Sequence, residues 1–192
     1  WKLDETTNLW TKKQGDETTE LRFTLSTSNA PIFQRTAELL KSQWEQIGVV
    51  VTIEKYDQTD LTQSIIRPRK YDALLFGTIV GRDLDFYSFW HSSQRNDPGL
   101  NVALYTNVTT DTILADARTV TNREERLASY ETFAEELVKD RPALFLYSPS
   151  FVYVLPKTVQ NVELHGIAEP FERFARVSDW YIDTESVWPF FK

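Results

Sequence analysis

The fold is decided by residues 21–77, which have the sequence LRFTLSTSNAPIFQRTAELLKSQWEQIGVVVTIEKYDQTDLTQSIIRPRKYDALLFG. Apolar and polar residues alternate over residues 21–25, which is the two-residue period of a half-buried strand. Apolar residues then recur every three or four positions over residues 33–47, and this spacing predicts a helix with one apolar face. Gly48 follows at the position where a glycine commonly ends a helix.

The alternation of strand and helix continues along this stretch. The β-branched residues 49–53 predict a second strand, and the apolar residues 71–76 predict a third. Ser28 or Asn29 offers a side-chain cap for the first helix, and Asp57 offers one for the second. Strand, helix, strand, helix and strand in this order predict parallel strands joined by right-handed crossovers, and therefore an α/β sheet with helices on its faces.

The second half of the chain begins with helices and ends with apolar segments. Residues 111–120 predict a short helix, and Asn122 three residues before Glu125 predicts the capped start of a longer one. Residues 143–147 and 151–155 are nearly continuous apolar runs, which are typical of strands buried on both faces.

Composition and charge exclude several classes of function. The net charge is −7 and the basic residues are scattered, which is unlike a nucleic-acid-binding protein. The absence of cysteine removes disulfides, thiol nucleophiles and cysteine-based metal sites. The sequence contains neither a phosphate-binding P-loop nor a dinucleotide-binding glycine motif. We therefore expect no cofactor, no metal and no nucleic-acid partner.

Polar and aromatic residues follow the first and third predicted strands, at the edge where open α/β sheets bind ligands. Residues 26–29, Ser-Thr-Ser-Asn, lead into a helix N-terminus that suits an anion or a carboxylate. Residues 77–91, GTIVGRDLDFYSFWH, combine two glycines, an arginine, two aspartates and four aromatic residues, which suits a small or extended organic ligand. The alternative is that Phe86, Phe89 and Trp90 belong to a short helix packed in the core.

Several segments of the sequence resemble one protein family. This sequence resembles the solute-binding proteins of peptide/nickel ABC importers in five segments, which follow in the same order along the chain: residues 43–48, 71–77, 81–90, 140–147 and 180–182. The resemblance implies an α/β lobe of the type II periplasmic-binding-protein fold, with a mixed, mostly parallel sheet flanked by helices.

The resemblance also implies the organisation and the role of the protein. Because family members are much longer, residues 1–192 would form a single domain, the C-terminal ligand-binding lobe of a two-lobe protein. This solute-binding protein would enclose an oligopeptide or similar solute between this lobe and a missing N-terminal lobe, and deliver it to the transmembrane permease subunits of an ABC importer. It would act outside the cytoplasm, in the periplasm or on the outer face of the cell membrane, with a lipid anchor on the full-length protein.

We expect this lobe to contact its ligand through eight residues and to carry no catalytic group. The eight are Thr78, Gly81 and Arg82 as backbone or polar contacts, Asp83 as the partner of a cationic group, Phe86 and Trp90 as apolar walls, and Asn101 and Tyr105 in the following segment.

Two positions depart from the family's pattern. Val80 stands where peptide-binding members commonly carry an aspartate that pairs with the free amine of the peptide. Leu84 stands between two aspartates, where the family usually has proline. The resemblance therefore implies that Asp83 or Asp85 would have to receive a cationic ligand group.

Two other function classes stay open. His91 beside Ser92 and Ser93 suggests a hydrolase, although the sequence has no Gly-x-Ser-x-Gly elbow. The aromatic residues within 177–191 are compatible either with packing onto this domain or with an interaction scaffold that binds no small ligand. A ligand-binding lobe and a scaffold differ in whether the loop at residues 77–91 faces an open concave surface or is buried.

Overall fold

A computed structural model of the chain describes residues 1–81, 84–163, 166–167 and 169–183. The strands are β1 (Lys2–Asp4), β2 (Leu9–Gln14), β3 (Glu17–Glu20), β4 (Arg22–Ser28), β5 (Val50–Tyr56), β6 (Ala73–Leu75), β7 (Val159–Gln160) and β8 (Tyr181–Ile182). The α-helices are α1 (Pro31–Gln46), α2 (Gln58–Asp60), α3 (Tyr87–Trp90), α4 (Val108–Ala117) and α5 (Arg123–Asp140). Leu61–Ile66 continues α2 as a π-helical turn, and short 3₁₀ helices lie at Ser92–Gln94, Pro170–Phe174 and Val177–Asp179.

The predicted α/β sheet is confirmed. Strand β4 lies between β5 and β6, and both pairings are parallel. Helix α1 covers one face, where the ring of Phe23 meets the ring of Trp44 edge-on at 5.2 Å between centroids. The buried residues of this sheet core are Leu25, Ala37, Leu40, Val49, Val51 and Leu75.

Helix α1 begins differently from the prediction that Ser28 or Asn29 caps it. The N-cap is Ala30, without a side-chain hydrogen bond, and Pro31 opens the helix. The sheet explains the correction: β4 extends through Ser28, and the Asn29 amide still donates to the Tyr56 carbonyl at 2.7 Å. Ser28 is therefore the last residue of the strand, and Asn29 directly follows it while keeping a hydrogen bond to the neighbouring strand. The predicted cap at Asp57 is confirmed, since its side chain accepts from two amides of α2.

The helix end at Gly48 is confirmed and ties the N-terminal strands to the sheet. Strands β1, β2 and β3 form an antiparallel meander. Gly48 has a φ of 87°, and its carbonyl accepts from the Trp10 amide at 2.9 Å. The Trp10 indole N–H donates to the Ile47 carbonyl at 2.7 Å, so the meander is fastened at the end of α1.

The second half of the chain forms a separate helical cluster, whose buried residues are Tyr105, Leu114, Phe133 and Leu137. Helix α4 begins three residues before the predicted start at residue 111, because the Asn107 side chain accepts from the Thr109 and Thr110 amides and caps it. The predicted cap of α5 is confirmed, since the Asn122 side chain accepts from the Glu124 and Glu125 amides.

The prediction of buried strands at residues 143–147 and 151–155 is wrong for this chain. Within the described residues, the main chain of 143–155 makes no hydrogen bond and belongs to no sheet. Most of its side chains lie open: Leu144 is 67% exposed, Phe145 65%, Val152 78% and Val154 83%, whereas Tyr153 and Leu155 are half-buried. The apolar pattern correctly indicates a need for burial, but a strand also needs a partner strand, which the described part of this chain does not provide.

Candidate functional site

The loops after β4 and β6 lie at the same edge of the sheet, because these two strands are parallel neighbours. Ser26, Thr27 and Ser28 are buried in the strand itself, and the Thr27 hydroxyl donates to the Leu75 carbonyl at 3.0 Å. Of the polar residues 26–29, Asn29 alone is exposed at this edge.

The first half of the loop after β6 is exposed. Phe76, Gly77, Thr78, Ile79 and Gly81 all lie open, with Ile79 65% exposed. The loop starts beside the first turn of α1, where a Cβ added to Gly77 would lie 3.3 Å from the ring of Phe33. The structure therefore presents Thr78 and Gly81 on an accessible surface at the carboxyl edge of the sheet.

The last residues of the loop pack onto the helical cluster. The Phe86 ring meets the Tyr130 ring at 4.9 Å and the Phe133 ring at 5.7 Å. The Trp90 ring lies 6.3 Å from Tyr105 and from Phe133. For Phe86 and Trp90 the packed arrangement considered as the alternative is the one observed. The loop is thus open at one end and anchored at the other.

Asp85 forms the anchor of this loop. The Arg118 guanidinium donates to both carboxylate oxygens of Asp85, with Nε at 3.1 and 3.2 Å and Nη2 at 2.6 Å. These bonds hold the pKa of Asp85 below its ordinary value, although partial burial opposes them. Asp85 is therefore engaged within the lobe. No local sequence pattern points to Arg118 as the partner of Asp85, because the two residues are 33 positions apart.

Leu84 adopts a backbone conformation that a proline cannot adopt. Its φ is 51°, whereas the proline ring fixes φ near −65°. The Leu84 amide donates to the Gly81 carbonyl at 3.1 Å, which closes a turn of this loop. The departure from the family's usual proline at this position therefore accompanies a left-handed turn.

Asn101 and Tyr105 lie inside the helical half. Asn101 is 0% exposed, and its amide nitrogen donates to the carbonyls of Trp90, His91 and Tyr105 at 3.0–3.2 Å. The Tyr105 hydroxyl donates to Asp140 at 2.6 Å, and burial raises its pKa together with this bond. As direct ligand contacts these two residues stay a prediction. Their contacts indicate that they hold in place the segment that carries Trp90.

The residues that suggested a hydrolase do not form a catalytic relay. The His91 Nδ1 atom lies 2.9 Å from the Ser93 hydroxyl and 3.9 Å from Asp111. A relay needs the serine and the carboxylate on different ring nitrogens, whereas here both face the same one. Ser92 is held by Asp111, which accepts from its amide at 2.8 Å and from its hydroxyl.

Some predicted residues fall outside the described ranges. Arg82 and Asp83 lie there, so their roles as ligand contacts stay predictions.

Within residues 1–81, 84–163, 166–167 and 169–183, no group of three acidic or histidine side chains is arranged to hold a metal ion. No helix in the same ranges has the length and apolarity needed to cross a membrane. Of the aromatic tail, Trp180 and Tyr181 are described, whereas Trp188, Phe190 and Phe191 lie outside the described residues. Trp180 packs against Tyr153 and Phe174, and Tyr181 is 59% exposed.

A family comparison identifies the class of protein. Residues 3–99 match the family model described as "Bacterial extracellular solute-binding proteins, family 5 Middle", which covers half of the chain. The chain belongs to family 5 of the bacterial extracellular solute-binding proteins. The resemblance inferred from the sequence segments is thereby confirmed at the level of the family.

Other family 5 proteins match over most of this chain but only part of their own length. The oligopeptide-binding protein AppA of Bacillus subtilis is 25% identical over 162 residues, which cover 83% of this chain and 29% of that protein. Its structure in complex with a nonapeptide gives a TM-score of 0.70 at 22% identity, over 91% of this chain and 35% of that one. NikZ from Campylobacter jejuni in complex with Ni(L-His) gives 0.63 at 23% identity, over 88% and 36%. These structures confirm the α/β fold predicted for the lobe.

Proposed function

We propose that this chain is one lobe of the solute-binding component of an ABC importer, and that it performs no catalysis. The observation that carries the proposal is the open loop at residues 76–81, at the carboxyl edge of the parallel sheet of a family 5 protein. That edge is where open α/β sheets hold ligands. Closure of two lobes around the solute would then present a closed form to the membrane permease.

Two observations support the assignment as the C-terminal lobe of a longer, two-lobe protein. The chain spans about a third of the length of the solved relatives and 29% of AppA. Residues 143–155 form an exposed apolar run whose main chain lacks hydrogen bonds to any other described residue. A strand from the other lobe would cover this run and satisfy its amides and carbonyls. In this proposal the ligand is enclosed between the two lobes, outside the cytoplasm, and the full-length protein carries a lipid anchor.

The solute that we propose is an oligopeptide, the class of ligand named for AppA. Thr78 and Gly81 would supply polar and backbone contacts, together with Arg82. Asp83 is the proposed partner of a cationic group, because Asp85 already pairs with Arg118. Phe86 and Trp90, which pack on the helical cluster, would present their remaining exposed surface as apolar walls.

Titration calorimetry on the two-lobe protein tests this assignment with two probes, a randomised nonapeptide pool with free amines and the same pool N-acetylated. We expect Asp83→Ala to weaken binding of the free-amine pool about tenfold, the effect of losing one charge-assisted contact. The matched control is Asp116→Ala, which removes an exposed carboxylate from α4. Equal affinity of Asp83→Ala and the control would contradict the role of Asp83, and a wild-type protein that binds neither pool would contradict the choice of oligopeptides.

A further inference from the structure

Arg118 directly follows α4 and contacts Asp85 near the end of the loop after β6. We infer that Arg118 is a positioning residue, which holds Asp85 and thereby fixes the loop end at residues 84–86 and, with it, the path of residues 76–81 at the sheet edge. The inference rests on the proposed function, because the path of the loop affects a ligand only if the loop lines the ligand cleft.

The carboxylate of Asp85 joins two helices. One of its oxygens accepts from Arg118, the residue that directly follows α4, and also from the Tyr87 amide at 3.1 Å in the first turn of α3. The bond to Arg118 is bidentate, which fixes both the distance and the orientation of the carboxylate. The end of the loop is therefore fastened to a helix that lies more than twenty residues further along the chain.

The guanidinium also contacts the loop end through its planar face. The Arg118 Cζ atom lies 3.9 Å from the centroid of the Tyr87 ring, and that ring stacks on His91 with centroids 4.1 Å apart. A lysine could keep the charge but could not reproduce the fork and the flat stacking surface together. This combination makes the contact specific to arginine.

The loop needs such an anchor because its two ends belong to different cores. It leaves the sheet core at Leu75 and enters the helical cluster at Phe86. Between them, residues 76–79 and Gly81 are exposed, and a Cβ added to Gly81 would meet open space. Leu84 adopts the left-handed conformation, which is unfavourable for a non-glycine residue and persists only when its surroundings impose it.

Four variants test the inference: Arg118→Gln, Arg118→Lys, Asp85→Asn and the double variant Arg118→Gln/Asp85→Asn. The control is Arg123→Gln, which removes the same charge from an exposed arginine that forms no ion pair in the described part of the chain. The ligand-independent readout is backbone ¹⁵N relaxation of Thr78, Ile79 and Gly81 in the 192-residue chain. The second readout is the affinity of the two-lobe protein for the free-amine nonapeptide pool.

We expect lower order parameters at the three loop amides and about tenfold weaker binding in Arg118→Gln, with the Arg123→Gln control unchanged. Arg118→Lys should keep the melting temperature close to that of the wild type without restoring the order parameters. The double variant should lose less than the sum of the two single variants, because both substitutions break the contact between Asp85 and Arg118.

The results separate the inference from the proposed function. If the wild type binds no peptide, the proposed function fails while the relaxation data still decide whether Arg118 orders the loop. If the wild type binds and Arg118→Gln retains both its affinity and its order parameters, the inference is overturned. Additive effects of the two single substitutions would overturn it as well, because Arg118 would then act independently of Asp85.

Discussion

A single amide side chain, that of Asn101, connects the short helix α3 to the segment that leads into α4. Its nitrogen donates to the carbonyls of Trp90 and His91, and its oxygen accepts from the Tyr105 amide at 3.1 Å. Because the residue is fully buried, water cannot replace these bonds when the side chain is removed.

We therefore predict that Asn101→Ala lowers the free energy of unfolding by about 3 kcal/mol, the cost of several buried polar groups left without partners. Urea denaturation followed by far-UV circular dichroism measures this loss. Asn96→Ala, at an exposed position nearby, should leave the midpoint almost unchanged. A similar midpoint for both variants would contradict the supporting role of Asn101.

Two carboxylates make the folded state sensitive to acid. Arg118 holds the pKa of Asp85 below its ordinary value of 3.8. Hydrogen bonds from the Tyr105 hydroxyl and the side-chain amide of Asn107 lower the pKa of Asp140 in the same way. A lowered folded pKa means that the folded state binds fewer protons than the unfolded state. The stabilisation is therefore present above pH 3.8 and is lost as the pH falls through the folded pKa values.

We predict that Asp85→Asn and Asp140→Asn each flatten the fall in unfolding free energy between about pH 5 and about pH 2. Urea titrations at several pH values give this slope. An unchanged slope in both variants, relative to Asp116→Asn on the surface of α4, would show that neither carboxylate carries the acid sensitivity.

At the scale of elements, the turn between α1 and β5 joins the meander to the sheet. A Cβ on Gly48 would lie 2.6 Å from the Asn8 carbonyl oxygen, and the φ of 87° is unfavourable for any other residue. We predict that Gly48→Ala lowers the free energy of unfolding by at least about 2 kcal/mol, since the strain and the backbone clash add.

The matched control for this prediction is Gly15→Ala in the turn between β2 and β3. Gly15 also has a positive φ, of 64°, but no atom lies within 4 Å of its added Cβ. Its substitution should cost only about 1 kcal/mol, the conformational part alone. Equal losses in the two variants, measured by thermal unfolding, would contradict the close approach at Gly48.

The elements that the sequence predicts well are those whose signals are local. The alternation in β4, the cap at Asn122 and the glycine after α1 each lie within a few residues of the feature that they predict. The run at residues 143–155 differs, because its apolarity is local while a strand also needs a partner strand, and the described part of the chain pairs none with it. The same reason hides the contact between Asp85 and Arg118, and the burial of Asn101 becomes visible only after the helices are packed.

At the scale of the whole molecule, the exposed run at residues 143–155 allows a test of the proposed second lobe. Its amides should exchange rapidly in the 192-residue chain, because their main chain is bonded to no described residue. In the two-lobe protein the same amides should be protected, while those of β4 should be protected in both forms. Hydrogen exchange read by mass spectrometry tests this, and equal exchange of the run in the two forms would contradict its pairing with the other lobe.

Native mass spectrometry of the two-lobe protein decides whether this chain is the ligand-binding lobe of a solute-binding protein. Gentle purification retains solutes enclosed between lobes, so we predict additional masses that correspond to bound oligopeptides. A mass equal to that of the protein alone, unchanged after incubation with a mixture of peptides, would contradict the assignment to oligopeptide binding.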